Sequence, residues 1–599
     1  MAKELLTRDQ VEEKNTWNVK DMYENDGLWE ADLEEIKKLM AEIVKYEGKV
    51  CDSAKNLLTV LDLDAKAQEK LDYDYNYAGR LFDVDQGNSK HQMMSQKIFS
   101  LYVEYGSAIA FVSPEILACD SAKLDGFYKE EKGLEAYRIE ITEIQRMKAH
   151  TLTSEMEKVV AMAGEMMQSP SEIYESFTNV DLKFPIIKDA EGEEVRITSG
   201  NYISFQESAD RRVREDAFKG LYGVYKANIN TFASIYAAEV KSRMFNSKVR
   251  GYSSNLEAAV DANNVSPEVY KNLLETIDKN VDKLHRYVAL RKKCLGVDEL
   301  HMYDVYTPII PDAAKKVTYE EAQGIIEEAL AVLGDDYVDL LKEAFANRWC
   351  DVYENQGKRG GAYSAGAYGA HPYMLLNYTD TLDDMFTVAH EMGHSMHSHF
   401  SNSNQPYIYS QYKIFVAEVA STCNEILLME HLLKNCTDKK ERAYLLNHYV
   451  DSFKGTVYRQ TQFAEYEMRT NEMLEKGEGL TAESLCALYK EINEKYYGTA
   501  DMISDDEIAY EWARIPHFYY NFYVYQYATS FCAACAIAEK ILKEGQPAVA
   551  QYKKFLSSGC TDAPVELLKI AGVDLTTPAP IQAALDKFGK IIDELETLV

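Results

Sequence analysis

The stretch LDDMFTVAHEMGHSMHSHF, Leu382–Phe400, decides most of the reading. It reads as a helix. Thr381 stands where an N-cap belongs, with Asp384 three residues on as its box partner, and the Ser, Asn and Pro of SNSNQP (Ser401–Pro406) end it. Inside it lies H-E-x-x-H, His390 to His394. Residues four apart share one helix face, so His390 and His394 can aim their imidazoles at a single metal ion. Glu391 follows directly and can be turned towards water beside that ion. Imidazole nitrogen suits zinc, and a catalytic zinc takes three protein ligands and keeps a fourth position open. Zinc lowers the pKa of water from about 15.7 to about 7. Glu391 would then take the proton as general base and pass it to the leaving amine. With 12 histidines in the chain, random order yields on the order of 0.02 such matches. The alternative is a helix with two packed or solvated histidines.

A third ligand has to come from elsewhere. A histidine six residues past His394 would extend the motif, but Phe400 occupies that position. The next helical run, YKIFVAEVASTCNEILLMEHLLKN (Tyr412–Asn435), offers Glu418, Glu425 and Glu430. Glu418 is far enough past His394 for a helix end, a loop and a returning antiparallel helix. Glu425 lies two turns further on much the same face. The spacing favours Glu418 as ligand and leaves Glu425 open. Whichever does not ligate could hold a ligand histidine in place. His397 and His399 share the motif helix and read as packing or supporting residues.

The rest of the 599-residue chain fits a mostly helical protein. Gly and Pro number only 30 and 13, and breakers are rare in Leu33–Tyr46, Val265–Leu290, Tyr319–Leu333 and Leu480–Tyr496. Asp181–Ile203 has a polar, Gly-containing centre between apolar runs and reads as a hairpin. A boundary near residue 200 follows, with an N-terminal helical lobe (1–200) before it and the chemistry (201–599) after it. Gly357–Thr379 is Gly-rich, then aromatic and apolar, and reads as loop and strand, a small β element beside the motif helix. Lys+Arg 65 against Asp+Glu 97 leaves a net charge of −32. That balance, with no block of five or six basic residues, argues against a nucleic-acid binder and disfavours docking on an anionic membrane. No run is apolar enough to span a bilayer, the N-terminus has no signal-like core, and ten scattered cysteines suit reduced thiols. The expectation is a cytoplasmic protein. Cys532 and Cys535 form a C-x-x-C pair without βαβ context and read as helix packing.

HEMGHSMHSHF followed by IFVAEVASTCNE is similar to the M3 family of zinc metallopeptidases, in its oligoendopeptidase F group. TWNVKDMY near the N-terminus, VRGYSSNLEAA at Val249–Ala259 and RIPHFYYNFYVYQYATS at Arg514–Ser530 resemble that group too. Residues 110–185 look like its N-terminal helical domain and 200–590 like its catalytic part. The resemblance implies a two-lobed helical body around a deep substrate channel, one zinc ion per chain, and internal cleavage of short oligopeptides. It makes Glu418 the third ligand. It also implies that His517 and nearby tyrosines meet substrate and the developing oxyanion, with Tyr527 first, Tyr520 second, and Tyr523 and Tyr525 also in view. Packing is the alternative for each ring. Gly360, Gly361, Ala362 and Tyr363 would face substrate, since glycine lets a backbone approach closely. The strand Tyr373–Tyr378 is placed to pair with an extended peptide. An exopeptidase of the same fold and a peptide-binding protein without catalysis are the competing readings, and intact His390, Glu391, His394 and Glu418 weigh against the second. Oligomeric state is not legible.

Overall fold

The computed structural model describes residues 5–310 and 316–599. Among them helices dominate and the strands are short and few. The breaker-poor runs behave as expected. Asn25 caps Asp26–Val44 by accepting the Gly27 amide, and Trp29, Leu33, Ile36, Leu39 and Ile43 make one buried stripe. Thr481 caps Ala482–Tyr497 in the same way through Ser484. The run Val265–Leu290 is two helices instead of one, Pro267–Asp278 and Val281–Leu295. Asn280 leaves helical geometry between them, and its side-chain amide donates to the Thr276 carbonyl at 2.8 Å. This local competition for backbone groups is what makes asparagine interrupt helices.

Contacts divide the chain into two compact units. One comprises Met1–Ala149, Ala314–Glu430 and Ile537–Val573; the other comprises His150–Ala313, His431–Ala536 and Asp574–Val599. The division does not follow a single boundary near residue 200, because both units draw on the C-terminal two thirds of the chain.

The first unit has a core of N-terminal helices, with Trp29, Leu57, Leu61, Leu71 and Tyr105 buried together, and Tyr373 and Leu375 join it. Its sheet has three strands. Tyr373–Leu375 is central, parallel to Cys350–Asp351 and antiparallel to Tyr363–Ala365. The Cys350 side is covered by the N-terminal segment, with the Val352 amide donating to the Asn15 carbonyl at 3.0 Å. Tyr363–Ala365 lies against the motif helix, and Ser364 Oγ sits 2.8 Å from Ser395 Oγ. This is the β element expected there.

The second unit contains the hairpin, Ile186–Lys188 paired antiparallel with Glu194–Arg196. Two of its buried carboxylates are held by arginines. Glu511 accepts from Arg459 at 2.7 Å and from Tyr489 at 2.6 Å, and Asp304 accepts from both Arg211 and Arg214 at 2.8 Å. Such partners offset the cost of taking a carboxylate out of water.

Candidate metal centre

The motif helix runs Leu382–Asn404. Thr381 Oγ1 accepts the Asp384 amide and Asp384 returns the favour to the Thr381 amide, each at 3.1 Å. Asp383 and Asp384 in the first turn also suit the positive end of the helix. The returning helix, Ile414–Asn435, crosses it at Gly393. A Cβ on that glycine would lie 2.4 Å from Ser421 Cα and 2.6 Å from the Ala420 carbonyl oxygen. No side chain fits there. Asn424 ties the pair further, donating to the Ala389 carbonyl at 3.1 Å while accepting from Tyr337 at 3.0 Å.

This crossing brings His390, His394 and Glu418 together, one ligand atom from each within a single cluster. His394 Nε2 is 3.2 Å from His390 Nε2, and Glu418 Oε2 is 3.3 Å from His390 Nε2 and 3.4 Å from His394 Nε2. A tetrahedral zinc with bonds of about 2.0–2.1 Å spaces its ligand atoms about 3.3–3.4 Å apart, so the donors already have the edges such an ion requires. Glu425 Oε1 lies 2.5 Å from His390 Nδ1. An acceptor there calls for the ring proton on Nδ1, which leaves the Nε2 lone pair facing the cluster. Ser421 Oγ donates to Glu418 Oε2 at 3.2 Å. The residues therefore fit a zinc ion, with Glu418 in the cluster and Glu425 behind a histidine.

Glu391 is buried, and its Oε2 has no hydrogen-bond partner. The Ser364 backbone amide faces the carboxyl, yet burial outweighs it and raises the group above the usual carboxylate range. A proton acceptor with one free oxygen thus stands beside the three donors.

The other histidines of the helix take no part. His397 is buried, stacked on Tyr412 at 3.7 Å with a 2° interplanar angle, and His399 packs near Trp349. Of the Gly-rich stretch, Gly360 and Gly361 are exposed, and Gly361 has φ +84. Asn377 holds the loop by donating to the Gly361 carbonyl at 2.7 Å. The Tyr363 side chain is committed elsewhere: its hydroxyl donates to Asp83 at 2.6 Å, and Arg80 sits over its ring. What the stretch offers outward is backbone. The strand expected to pair with a peptide, Tyr373–Tyr378, has neither edge free. It is central, and the Leu376 and Tyr378 amides also donate to the Asp351 and Val352 carbonyls. Tyr363–Ala365 is the edge strand.

In the second unit the aromatic run is not one helix. A 3-10 turn, Pro516–Tyr519, precedes a helix, Tyr525–Glu544, and Asn521 (φ 49) and Phe522 (φ 59) lie between them. This break gathers four rings. His517 is centred 5.7 Å from Tyr520, 6.4 Å from Tyr523 and 6.1 Å from Tyr527. Tyr520 is exposed, His517, Tyr523 and Tyr527 are half-buried, and burial holds the His517 ring towards its neutral form. Tyr525 is buried, packed 4.8 Å from Tyr270.

Three residues at the metal cluster were missed in the sequence. Gly393 and Asn424 act through a helix crossing, and Ser364 acts through an edge strand. Only Gly393, inside the motif itself, could have been flagged, as a glycine in a helix interior that costs stability unless something needs the room.

A helix with H-E-x-x-H and a carboxylate returned by the next helix defines a metallopeptidase. The family model described as peptidase family M3 matches residues 204–587, and that described as oligopeptidase F matches 115–184. The chain is similar to the oligopeptidase PepF of Bacillus subtilis, at 46% identity over all of this chain and 89% of that protein. An oligoendopeptidase F homologue of Lactococcus lactis is 44% identical, over 99% of this chain and 98% of its own length. The crystal structure of oligoendopeptidase-F from Enterococcus faecium superposes with a TM-score of 0.75 at 38% identity, covering 96% of this chain and 99% of that one. The chain belongs to peptidase family M3, in its oligopeptidase F group.

Proposed function

We propose that the protein is a zinc-dependent endopeptidase that cleaves internal bonds of short oligopeptides, with Glu391 as general base. The observation that carries it is the triangle of His390, His394 and Glu418, whose edges of 3.2–3.4 Å match a tetrahedral zinc. The names of the relatives support the substrate class.

His390, His394 and Glu418 would hold the ion, and Glu425 keeps the His390 proton on Nδ1 so that Nε2 is free to ligate. Zinc supplies Lewis acidity, acidifying water and polarising the scissile carbonyl. The chain does the rest. The Glu391 carboxylate takes the proton of the attacking water and later delivers it to the leaving amine, which departs neutral. Its unpartnered Oε2 is the atom available for both transfers. The edge strand Tyr363–Ala365 pairs with an extended peptide main chain, and the exposed Gly360 and Gly361, followed by the half-buried Ala362, lie just before it. His517, Tyr527, Tyr520 and Tyr523 supply hydrogen bonds to substrate and to the charge that develops on the carbonyl oxygen. Cytoplasmic action agrees with ten cysteines that form no disulfide among the described residues. Among the described residues no helix is long and apolar enough to cross a membrane.

The test is product analysis on an internally quenched peptide, with and without chelator. Internal cleavage abolished by chelation is expected. Single residues released from one end would establish the exopeptidase reading instead.

A further inference from the structure

The segment between His517 and Tyr527 carries two local costs. Asn521 and Phe522 are consecutive non-glycine residues with φ of 49 and 59, a region that disfavours L side chains by about 1–2 kcal/mol per residue. Beside them Glu467, on the helix Arg459–Glu475, is fully buried. One oxygen accepts the Phe522 amide at 2.6 Å, and Oε2 has no hydrogen-bond partner among the described residues. A buried carboxyl with an unsatisfied oxygen is expensive whether or not it is ionised. Strain of this kind persists where surrounding structure over-determines it, and here four further hydrogen bonds do so. Asn255 Nδ2 donates to Asn521 Oδ1 at 3.2 Å and to Asn471 Oδ1 at 2.8 Å, and Asn471 donates to the Glu467 carbonyl at 2.8 Å. Arg243 donates to the Tyr519 carbonyl at 3.3 Å.

The consequence of the turn is geometric. It separates the 3-10 turn from the helix, with Tyr520 and Tyr523 centred 5.7 and 6.4 Å from His517, and Tyr523 5.3 Å from Tyr527 at 86°. The Phe522 ring is buried against Tyr270, 5.5 Å away, whereas Tyr520 is exposed and Tyr523 half-buried. We infer that Glu467 is a positioning residue: by holding the Phe522 amide it locks the left-handed pair and sets the directions in which Tyr520 and Tyr523 meet substrate beside His517. The inference rests on the proposed role of that aromatic segment. It places a functional constraint on a buried acid far along the chain from both the motif and the aromatic run.

The experiment compares kcat and KM, metal content and Tm for Glu467→Leu, Glu467→Gln, Asn521→Gly, Tyr527→Phe and His517→Gln in the zinc-loaded full chain. Glu467→Leu should lower kcat about tenfold to a hundredfold with zinc content unchanged, the scale of an ångström-level misplacement. Glu467→Gln, which keeps an acceptor for the Phe522 amide, should stay within about twofold of wild type. Asn521→Gly should lower kcat while Tm holds or rises, because glycine takes positive φ freely and relaxes the turn. A purely structural turn would gain from that glycine in both measures. If Tyr527→Phe and His517→Gln lower kcat but Asn521→Gly and a folded Glu467→Leu match wild type, the positioning role is overturned alone. If Glu467→Leu does not fold, Asn521→Gly decides. If Tyr527→Phe and His517→Gln leave kcat untouched, the reading of the segment falls and this inference falls with it.

Discussion

Gly393 and Ser421 set the distance between the motif helix and the returning helix: a methyl group on the glycine would lie 2.4 Å from Ser421 Cα. The obstructing atoms are backbone, so no side chain can swing aside. Gly393→Ala should therefore force the helices apart. The expected cost is about 1–3 kcal/mol of stability, together with a loss of zinc affinity, because Glu418 moves with the returning helix. Denaturant unfolding and chelator competition would check both. Unchanged affinity would mean that the crossing does not set the cluster.

Glu425 bears on the metal through His390, from which it is separated by 2.5 Å at Nδ1. Glu425→Gln keeps shape and removes the charge that orients the ring. Zinc affinity should fall about tenfold to a hundredfold, whereas Glu418→Gln should abolish stoichiometric binding. Equal losses in the two variants would contradict the assignment of one as ligand and the other as support.

His397 gives a pH dependence with a definite sign. Burial, followed by the nearby His394 charge, pushes its pKa down to about 3, and its Nδ1 has no hydrogen-bond partner. In the unfolded chain the ring titrates near about 6.5. The folded state thus refuses a proton that the unfolded state takes, and stability falls as pH drops below the unfolded value towards the folded one. The slope from this group is about 1.4 kcal/mol per pH unit. His397→Phe, which can still stack on Tyr412, should flatten the stability–pH curve between pH ~6 and ~4 by that slope. Parallel curves for the two proteins would show that His397 is not the acid-sensitive group.

Tyr525 and Tyr527 are two residues apart and should behave differently. Tyr525 is buried against Tyr270, and Tyr527 is half-buried in the ring cluster around His517. Tyr527→Phe should lower kcat about a hundredfold if its hydroxyl meets the oxyanion. Tyr525→Phe should leave kcat near wild type and register in Tm. Steady-state kinetics on one peptide separates the two.

What was legible in the sequence was local. The cap at Thr381, the histidine pair on one face and two glutamates two turns apart follow from helical period alone, and the resemblance pointed to Glu418 as the ligand. What was hidden was tertiary. Tyr373–Leu375 looks like a strand that could receive a peptide, but its place between two others depends on pairing partners about 10 and 24 residues away. Gly393 and Ser421 are distant in sequence and meet only because two helices cross. The aromatic run from His517 to Tyr527 hid its break, because a left-handed Asn–Phe pair has no composition signal and is held by Glu467 from another helix. For the same reason the units defined by contact could not be read as a boundary near residue 200.

The central claim is that Glu391 moves the proton while His390, His394 and Glu418 hold the metal. The most direct measurement is kcat of zinc-loaded Glu391→Gln on an internally quenched peptide, with zinc per chain determined on the same sample. The account predicts full zinc occupancy and a kcat lower by about a thousandfold. Activity close to wild type in a fully loaded variant would contradict it and send the search for the base elsewhere in the chain.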